Sequence, residues 1–157
     1  MTRTVNMSHA RTVFQRDVMK RIVRDKVCPF CTEHFLKYHT KPIIQEGRYW
    51  ILTENFEPYK GSKHHLLAVV KKHVQHFSEL TPVAQAELFK LFGNEARKRN
   101  IPGGSIIMRF GDTDYTGGSV GHLHAQLVSG GKRGKGKEPI STYISYSAQK
   151  TPTGAQK

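Results

Sequence analysis

The segment Gly117 to Val128 constrains this 157-residue chain more than any other. Its second half, His122-Leu123-His124-Ala125-Gln126-Leu127-Val128, alternates polar and apolar side chains. Successive side chains of a strand point to opposite faces. His122, His124 and Gln126 are therefore expected on one face, and Leu123, Ala125 and Leu127 on the other. Its first half, Gly117-Gly118-Ser119-Val120-Gly121, is a glycine-rich loop. Such a loop offers backbone N–H groups to a phosphate.

The rest of the chain supplies the partners for such a strand. Phe14, Val18 and Ile22 recur every fourth residue, which predicts a helix over 8–26 capped by Ser8 and ended before Pro29. Residues 48–53, 64–70 and 105–110 are rich in β-favouring side chains and read as strands. Thr81-Pro82 opens a second helix, running to about residue 100 with Ala84, Leu88, Leu91 and Phe92 as its apolar stripe. Arg97-Lys98-Arg99 close it at the negative end of its dipole. Residues 55–63 and 111–121 read as loops, 130–136 as a flexible linker, 140–146 as a short further strand and the last ten residues as disordered. The order helix, two strands, helix, two strands predicts an α+β fold with an antiparallel sheet and flanking helices.

Charge divides the chain further. The net charge is +13, and residues 1–26 and 132–157 each carry +5 of it. The expected organisation is a basic N-terminal helix over 1–27, a globular domain over 28–130 and a basic flexible tail over 131–157. Basic extensions suit polyanions. Lys132-Arg133-Gly134-Lys135-Gly136-Lys137 has the composition of an RNA-binding tail. It lacks interleaved aromatic residues, so the expected mode is non-specific, salt-sensitive binding to nucleic acid without base stacking. No run has the apolar length of a bilayer span, and no apolar signal core follows the N-terminus, so neither a membrane partner nor export is expected. The two cysteines exclude a disulfide scaffold and fit a reducing cytoplasm.

Two clusters carry chemistry. A neutral imidazole is a competent nucleophile at phosphorus when its other nitrogen is held by an acceptor. In the His122–Gln126 row, Ser119 and Gln126 are the candidate donors to phosphate oxygens. The second cluster is Cys28-Pro29-Phe30-Cys31. A Cys-x2-Cys pair needs two further ligands for a closed tetrahedral zinc site, and His34 and His39 form one local set. A redox reading also exists, but redox pairs of this kind sit where a strand enters a helix, whereas here a helix comes before.

Together these residues resemble the histidine triad (HIT) superfamily of nucleotide hydrolases and transferases, over roughly residues 28–128. Cys28-Pro29-Phe30-Cys31 resembles the zinc-binding start of many members. His65 to His73 resembles the central strand, and Gly117-Gly118-Ser119-Val120 resembles the phosphate loop. The third triad position is Gln126 rather than His. His-x-His-x-Gln is similar to the nucleotidyltransferase branches, galactose-1-phosphate uridylyltransferase and diadenosine tetraphosphate phosphorylase. The resemblance implies that His124 is the nucleophile, with Ser119 and Gln126 assisting. A glutamine hydrogen-bonds phosphate but cannot act as a general acid, which favours transfer over hydrolysis. Implied nucleotide contacts are Asn55, near the position of a ribose-binding carboxylate, Arg109, which stands in place of an Asn, and Gly117, Gly118 and His65. The family's zinc set, carried over, is Cys28, Cys31, His73 and His122, a structural site. Gly121 replaces a bulkier residue. The implied ligand is a nucleotide or dinucleoside polyphosphate, and a homodimer is common in the family. A nucleotide hydrolase, or a zinc-stabilised nucleotide- or RNA-binding protein without turnover, are the alternatives.

Overall fold

The computed structural model describes residues 4–149. Five strands form one sheet: β1 (Ile43–Glu46), β2 (Trp50–Glu54), β3 (His64–Val70), β4 (Ser105–Arg109) and β5 (His124–Ser129). Their spatial order is β1-β2-β3-β5-β4, and every neighbouring pair is antiparallel. The three α-helices are α1 (Val13–Asp25), α2 (Thr32–Tyr38) and α3 (Pro82–Lys98). The fold is α+β, as the element order predicts. No helix among the described residues is long and apolar enough to cross a membrane.

The alternation along β3 decides which helix covers which face. Leu66, Ala68 and Val70 pack with Leu88, Leu91 and Phe92 of α3, together with Trp50, Leu52, Ala125 and Leu127. Leu67 and Val69 point the other way and pack with Ile51 and Phe35 of α2. Both faces of β3 are thus buried, which is why its apolar residues run continuously. Met19 and Ile22 of α1 pack against Tyr38 and Val5.

Helix α3 starts where the sequence predicts: the Thr81 hydroxyl accepts from the Ala84 N–H, and Pro82 is the first helical residue. Its Glu87 carboxylate accepts from the backbone N–H groups of Arg48 (2.9 Å), Tyr49 (2.7 Å) and Trp50 (3.0 Å). The Trp50 indole N–H donates to the Ala84 carbonyl at 2.7 Å. These bonds fasten the β1–β2 turn to the helix.

Several boundaries differ from the sequence expectation, each for a local reason. The first helix begins at Val13, not Ser8, because Thr12 is the residue that caps it, accepting from the Gln15 N–H. Ser8 instead lies in a 3-10 turn, Met7–His9, capped by Asn6. The strand expected over 48–53 begins at Trp50, and the Arg48 and Tyr49 N–H groups before it bond the Glu87 carboxylate. Strand β5 begins at His124: the Leu123 N–H leaves the ladder and donates to the Val74 carbonyl at 2.8 Å. Residues 140–146 form no strand. Helix α2 and strand β1 are not expected from the sequence, both being too short for periodicity to show. The disorder expected at the C-terminus falls mostly on 150–157, outside the described residues.

Both charged ends of the described chain pack beside the glycine-rich loop. Val5 is buried and bridges Val120 in antiparallel fashion. The Asn6 N–H donates to the Ser119 carbonyl at 2.8 Å, and the Gly121 N–H to the Thr4 carbonyl at 3.1 Å. From the other end, the Ser145 hydroxyl donates to the Tyr115 carbonyl at 2.7 Å.

Candidate functional site

A cavity of about 630 Å³ lies on the α2 side of the sheet, lined by His124, Gln126, Gly117, Gly118 and Ser119 together with Asn55 and Arg109. The ladder explains this grouping. Gln126 stands opposite Leu67 of β3 and Ile107 of β4, and His124 stands opposite Arg109. Directly opposed residues share a face. His65 is further along β3 on the same face, behind Gln126.

The imidazole of His124 has a fixed tautomer. Its Nδ1 lies 2.8 Å from the His122 carbonyl, which can only accept. The proton is therefore on Nδ1, and Nε2 keeps a free lone pair. Burial lowers the His124 pKa to about 4, opposed by the His122 carbonyl and assisted by the Arg109 charge. The ring is neutral at neutral pH. Phe30 packs edge-on against it, with ring centroids 5.1 Å apart.

Gln126 is oriented from behind. The Tyr59 N–H donates to His65 Nδ1 at 3.0 Å, so the proton of this neutral ring is on Nε2. That proton is donated to the Gln126 amide oxygen at 2.9 Å. The amide NH2 of Gln126 thereby remains a donor. Burial keeps His65 neutral, with a pKa lowered to about 4. The Asn55 oxygen accepts from the Glu57 N–H at 2.9 Å, closing the loop after β2. Its amide nitrogen lies 3.2 Å from His65 Nε2 and faces the cavity.

Arg109 is drawn toward the C-terminal segment. Its guanidinium donates to the Thr142 hydroxyl at 2.9 Å, the Tyr59 hydroxyl at 3.2 Å and the Tyr143 carbonyl. Tyr143 also explains Gly117, where a Cβ would collide with the Tyr143 carbonyl oxygen. His9 closes the same end. It donates from Nδ1 to the Gly118 carbonyl at 2.6 Å and accepts at Nε2 from the Tyr146 hydroxyl at 2.7 Å.

The second cluster comes together behind the nucleophile's neighbour. Cys28, Cys31, His73 and His122 present ligand atoms that all lie within 4.8 Å of one another. The His122 Nε2–H donates to the Val70 carbonyl at 2.7 Å, which frees Nδ1 to face the thiols. Its Nδ1 is 3.3 Å from Cys28 Sγ and 3.9 Å from Cys31 Sγ, and His73 Nδ1 is 3.4 Å from Cys31 Sγ. Zinc bonds of about 2.3 Å to sulfur and 2.0–2.1 Å to nitrogen give sulfur–nitrogen edges of roughly 3.6 Å in a tetrahedron. The donor set fits a structural zinc site with no position left for water. Of the local alternative, His34 and His39 are not in this cluster. His39 is buried elsewhere, with Nε2 2.9 Å from the Thr53 hydroxyl.

Sequence reasoning missed several lining residues: His9 and Arg11 from the N-terminal segment, Phe30 and Tyr38 around α2, Phe56 and Tyr59 after β2, and Thr142, Tyr143 and Tyr146 from the tail. Phe30 lies inside the Cys-Pro-Phe-Cys motif, where the cysteines draw the attention. The tail residues carry no local signal, because only the folded chain brings them to the loop.

No protein-family model matches the chain, and no curated protein matches it. Solved structures do. A hypothetical histidine triad nucleotide-binding protein from Sulfolobus tokodaii is 19% identical, with a TM-score of 0.52 over 77% of this chain and 82% of that one. A zinc-bound histidine triad family protein from Mycobacterium smegmatis is 18% identical, with a TM-score of 0.51 over 74% and 84%. A HIT family hydrolase from Clostridium thermocellum is 20% identical, with a TM-score of 0.51 over 74% and 92%. At these identities the likeness is one of fold: the chain has the histidine triad fold.

Proposed function

We propose that the chain is a histidine triad enzyme that transfers a nucleoside monophosphate through a covalent intermediate on His124. The observation that carries this is the His122 carbonyl on His124 Nδ1, which leaves a neutral Nε2 free in a cavity bordered by Gly117, Gly118 and Ser119. Nε2 attacks the α-phosphorus of a nucleotide or dinucleoside polyphosphate. The new N–P bond forms as the bond to the leaving phosphate oxygen breaks, and that oxygen takes the electron pair. The proton stays on Nδ1, donated to the His122 carbonyl, as the ring becomes cationic. An acceptor phosphate oxygen then attacks phosphorus, and Nε2 recovers its lone pair.

The Gln126 NH2, the Ser119 hydroxyl and the Ser119 N–H are the donors offered to the phosphate oxygens, the Gly118 N–H being held by the Thr116 hydroxyl and the Gly121 N–H by the Thr4 carbonyl. His65 is a positioning residue that holds Gln126. Asn55 contacts the sugar side, and the Arg109 charge faces the phosphate end. Zinc on Cys28, Cys31, His73 and His122 supplies structure, tying the chain before α2 to the turn that leads into β5.

Gln126 favours a phosphate acceptor, because an amide neither gives a proton to a leaving group nor takes one from attacking water. Water as the acceptor is the second reading, and the Clostridium thermocellum neighbour is named as a hydrolase. The basic terminal segments suit a polyanion longer than a mononucleotide. The deciding experiment is the intact mass of the protein after a rapid quench with diadenosine tetraphosphate, ATP or a UDP-sugar. A nucleotide adduct that is absent from His124→Ala is expected. No adduct and no turnover with the whole panel would leave a binding protein.

A further inference from the structure

Three tyrosines stand exposed around the phosphate end of the cavity: Tyr115 (76% exposed), Tyr143 (70%) and Tyr146 (54%). Two come from the C-terminal segment and one from the glycine-rich loop, and hydrogen bonds hold the segment to the loop and its neighbours. The Tyr143 carbonyl is gripped by Arg109. The Ser145 hydroxyl donates to the Tyr115 carbonyl, and the Tyr146 hydroxyl donates to His9. The segment is thus anchored at the Tyr143 carbonyl, the Ser145 hydroxyl and the Tyr146 hydroxyl, while most of each ring stays exposed. Tyr146 also lies against the His9 ring, with centroids 5.8 Å apart.

The chain that leads into this rim carries Lys132, Arg133, Lys135 and Lys137, all exposed, against the single acid Glu138. Of the acids beside Tyr115, Asp114 is engaged by the Asn6 amide at 2.8 Å. The composition of the tail alone shows cations without aromatic residues. The segment that follows the tail's cations, residues 140–146, brings aromatic residues to the glycine-rich loop.

We propose that this rim is a docking surface for single-stranded nucleic acid. Its bases stack on Tyr115, Tyr143 and Tyr146, and its phosphates are met by the Lys132–Lys137 cations. Stacking on exposed rings accepts any base, and the surrounding charge follows the backbone. A paired duplex hides its base faces and gains only the charge. The nucleotide reading of the cavity enters only by implying that the end of the strand points into it; binding itself does not depend on catalysis.

The test is fluorescence anisotropy with a labelled 12-nucleotide single strand, as DNA and as RNA, on the full chain. Binding is expected at 50 mM salt. It should fall by about 50-fold at 200 mM if four cations are engaged. Tyr115→Ala and Tyr143→Ala should each weaken it by about fivefold or more, with the melting temperature unchanged, and Tyr143→Phe should bind normally. The His124→Ala protein should bind as well as the parent, so a missing nucleotide adduct and a missing oligonucleotide complex are separate results. Absence of binding at 50 mM overturns the proposal. So does equal affinity for a duplex of the same length, or tyrosine variants without effect. Tighter binding to phosphatidylglycerol vesicles than to the oligonucleotide would overturn it in favour of an anionic membrane surface.

Discussion

His65 holds Gln126 by its amide oxygen because its own Nδ1 is already taken by the Tyr59 N–H. The direction of the second bond is set by the first, and the Gln126 NH2 is left for a ligand. His65→Leu removes the donor and strands a buried oxygen, at a cost of about 1–3 kcal/mol. Transfer in steady-state assays should fall roughly tenfold or more, with kcat affected more than substrate affinity. A variant with normal kcat would show that Gln126 needs no orientation.

Gln126→His is the complementary change. An imidazole can donate a proton where an amide cannot. The ratio of hydrolysis to transfer, read by chromatography of products with and without inorganic phosphate, should rise. An unchanged ratio would mean that the third position does not choose the acceptor.

Zinc should be recovered at one ion per chain by elemental analysis. Cys28→Ser and His73→Ala should each lower that stoichiometry. Loss of the ion unties the chain before α2 from His122, so the melting temperature should drop by at least about 5 °C. Retention of the ion by His73→Ala would remove His73 from the ligand set.

Acid should destabilise the fold at moderate pH. Burial lowers the pKa of His39 to about 4 and that of His65 to about 4, against about 6.5 when unfolded. Between these values the unfolded chain binds more protons than the folded one, so stability rises with pH. The contribution is complete above about pH 7 and is lost as pH falls through 6.5 toward 4. A proton on His39 Nδ1 would be buried without a hydrogen-bond acceptor. Melting temperatures between pH 5 and 7 should rise with pH, and less steeply in His39→Phe, which keeps the stack on Phe35. Parallel curves for the two proteins would exclude His39 as a source.

Glu87→Ala deletes the acceptor of three N–H groups in the β1–β2 turn. The expected cost is about 2 kcal/mol, or a fall of about 4–8 °C in melting temperature. A shift below 1 °C would mean that water replaces the carboxylate at no cost.

The residues of the site are legible where chemistry and period coincide. Alternation puts His124 and Gln126 on one face, and the Cys28–Cys31 spacing announces a metal pair. The α3 cap and stripe are written in Thr81, Pro82, Leu88 and Phe92. What escapes depends on distance along the chain. His65 is implied as a nucleotide contact by the resemblance, but it sits behind Gln126, between Tyr59 and the Gln126 amide. Asn6 and Tyr143 have no pattern at all, since their partners lie 107 residues from Asn6 at Thr113 and 34 from Tyr143 at Arg109. His122 reads as a strand residue, but the Val74 carbonyl draws Leu123 out of the ladder.

The hydrogen bond between His9 and Tyr146 spans 137 residues of sequence. It closes over a loop that Asn6 pins from the other side. Contacts of such separation form late, because a long stretch of chain must be ordered before they gain anything. During synthesis the sheet and α3 are complete once Ser129 has left the ribosome, while the cavity still lacks a wall. Assembly of the pocket therefore waits for the final residues of the described chain, and a nascent protein stalled just short of Tyr146 would be folded at its centre and open at its mouth.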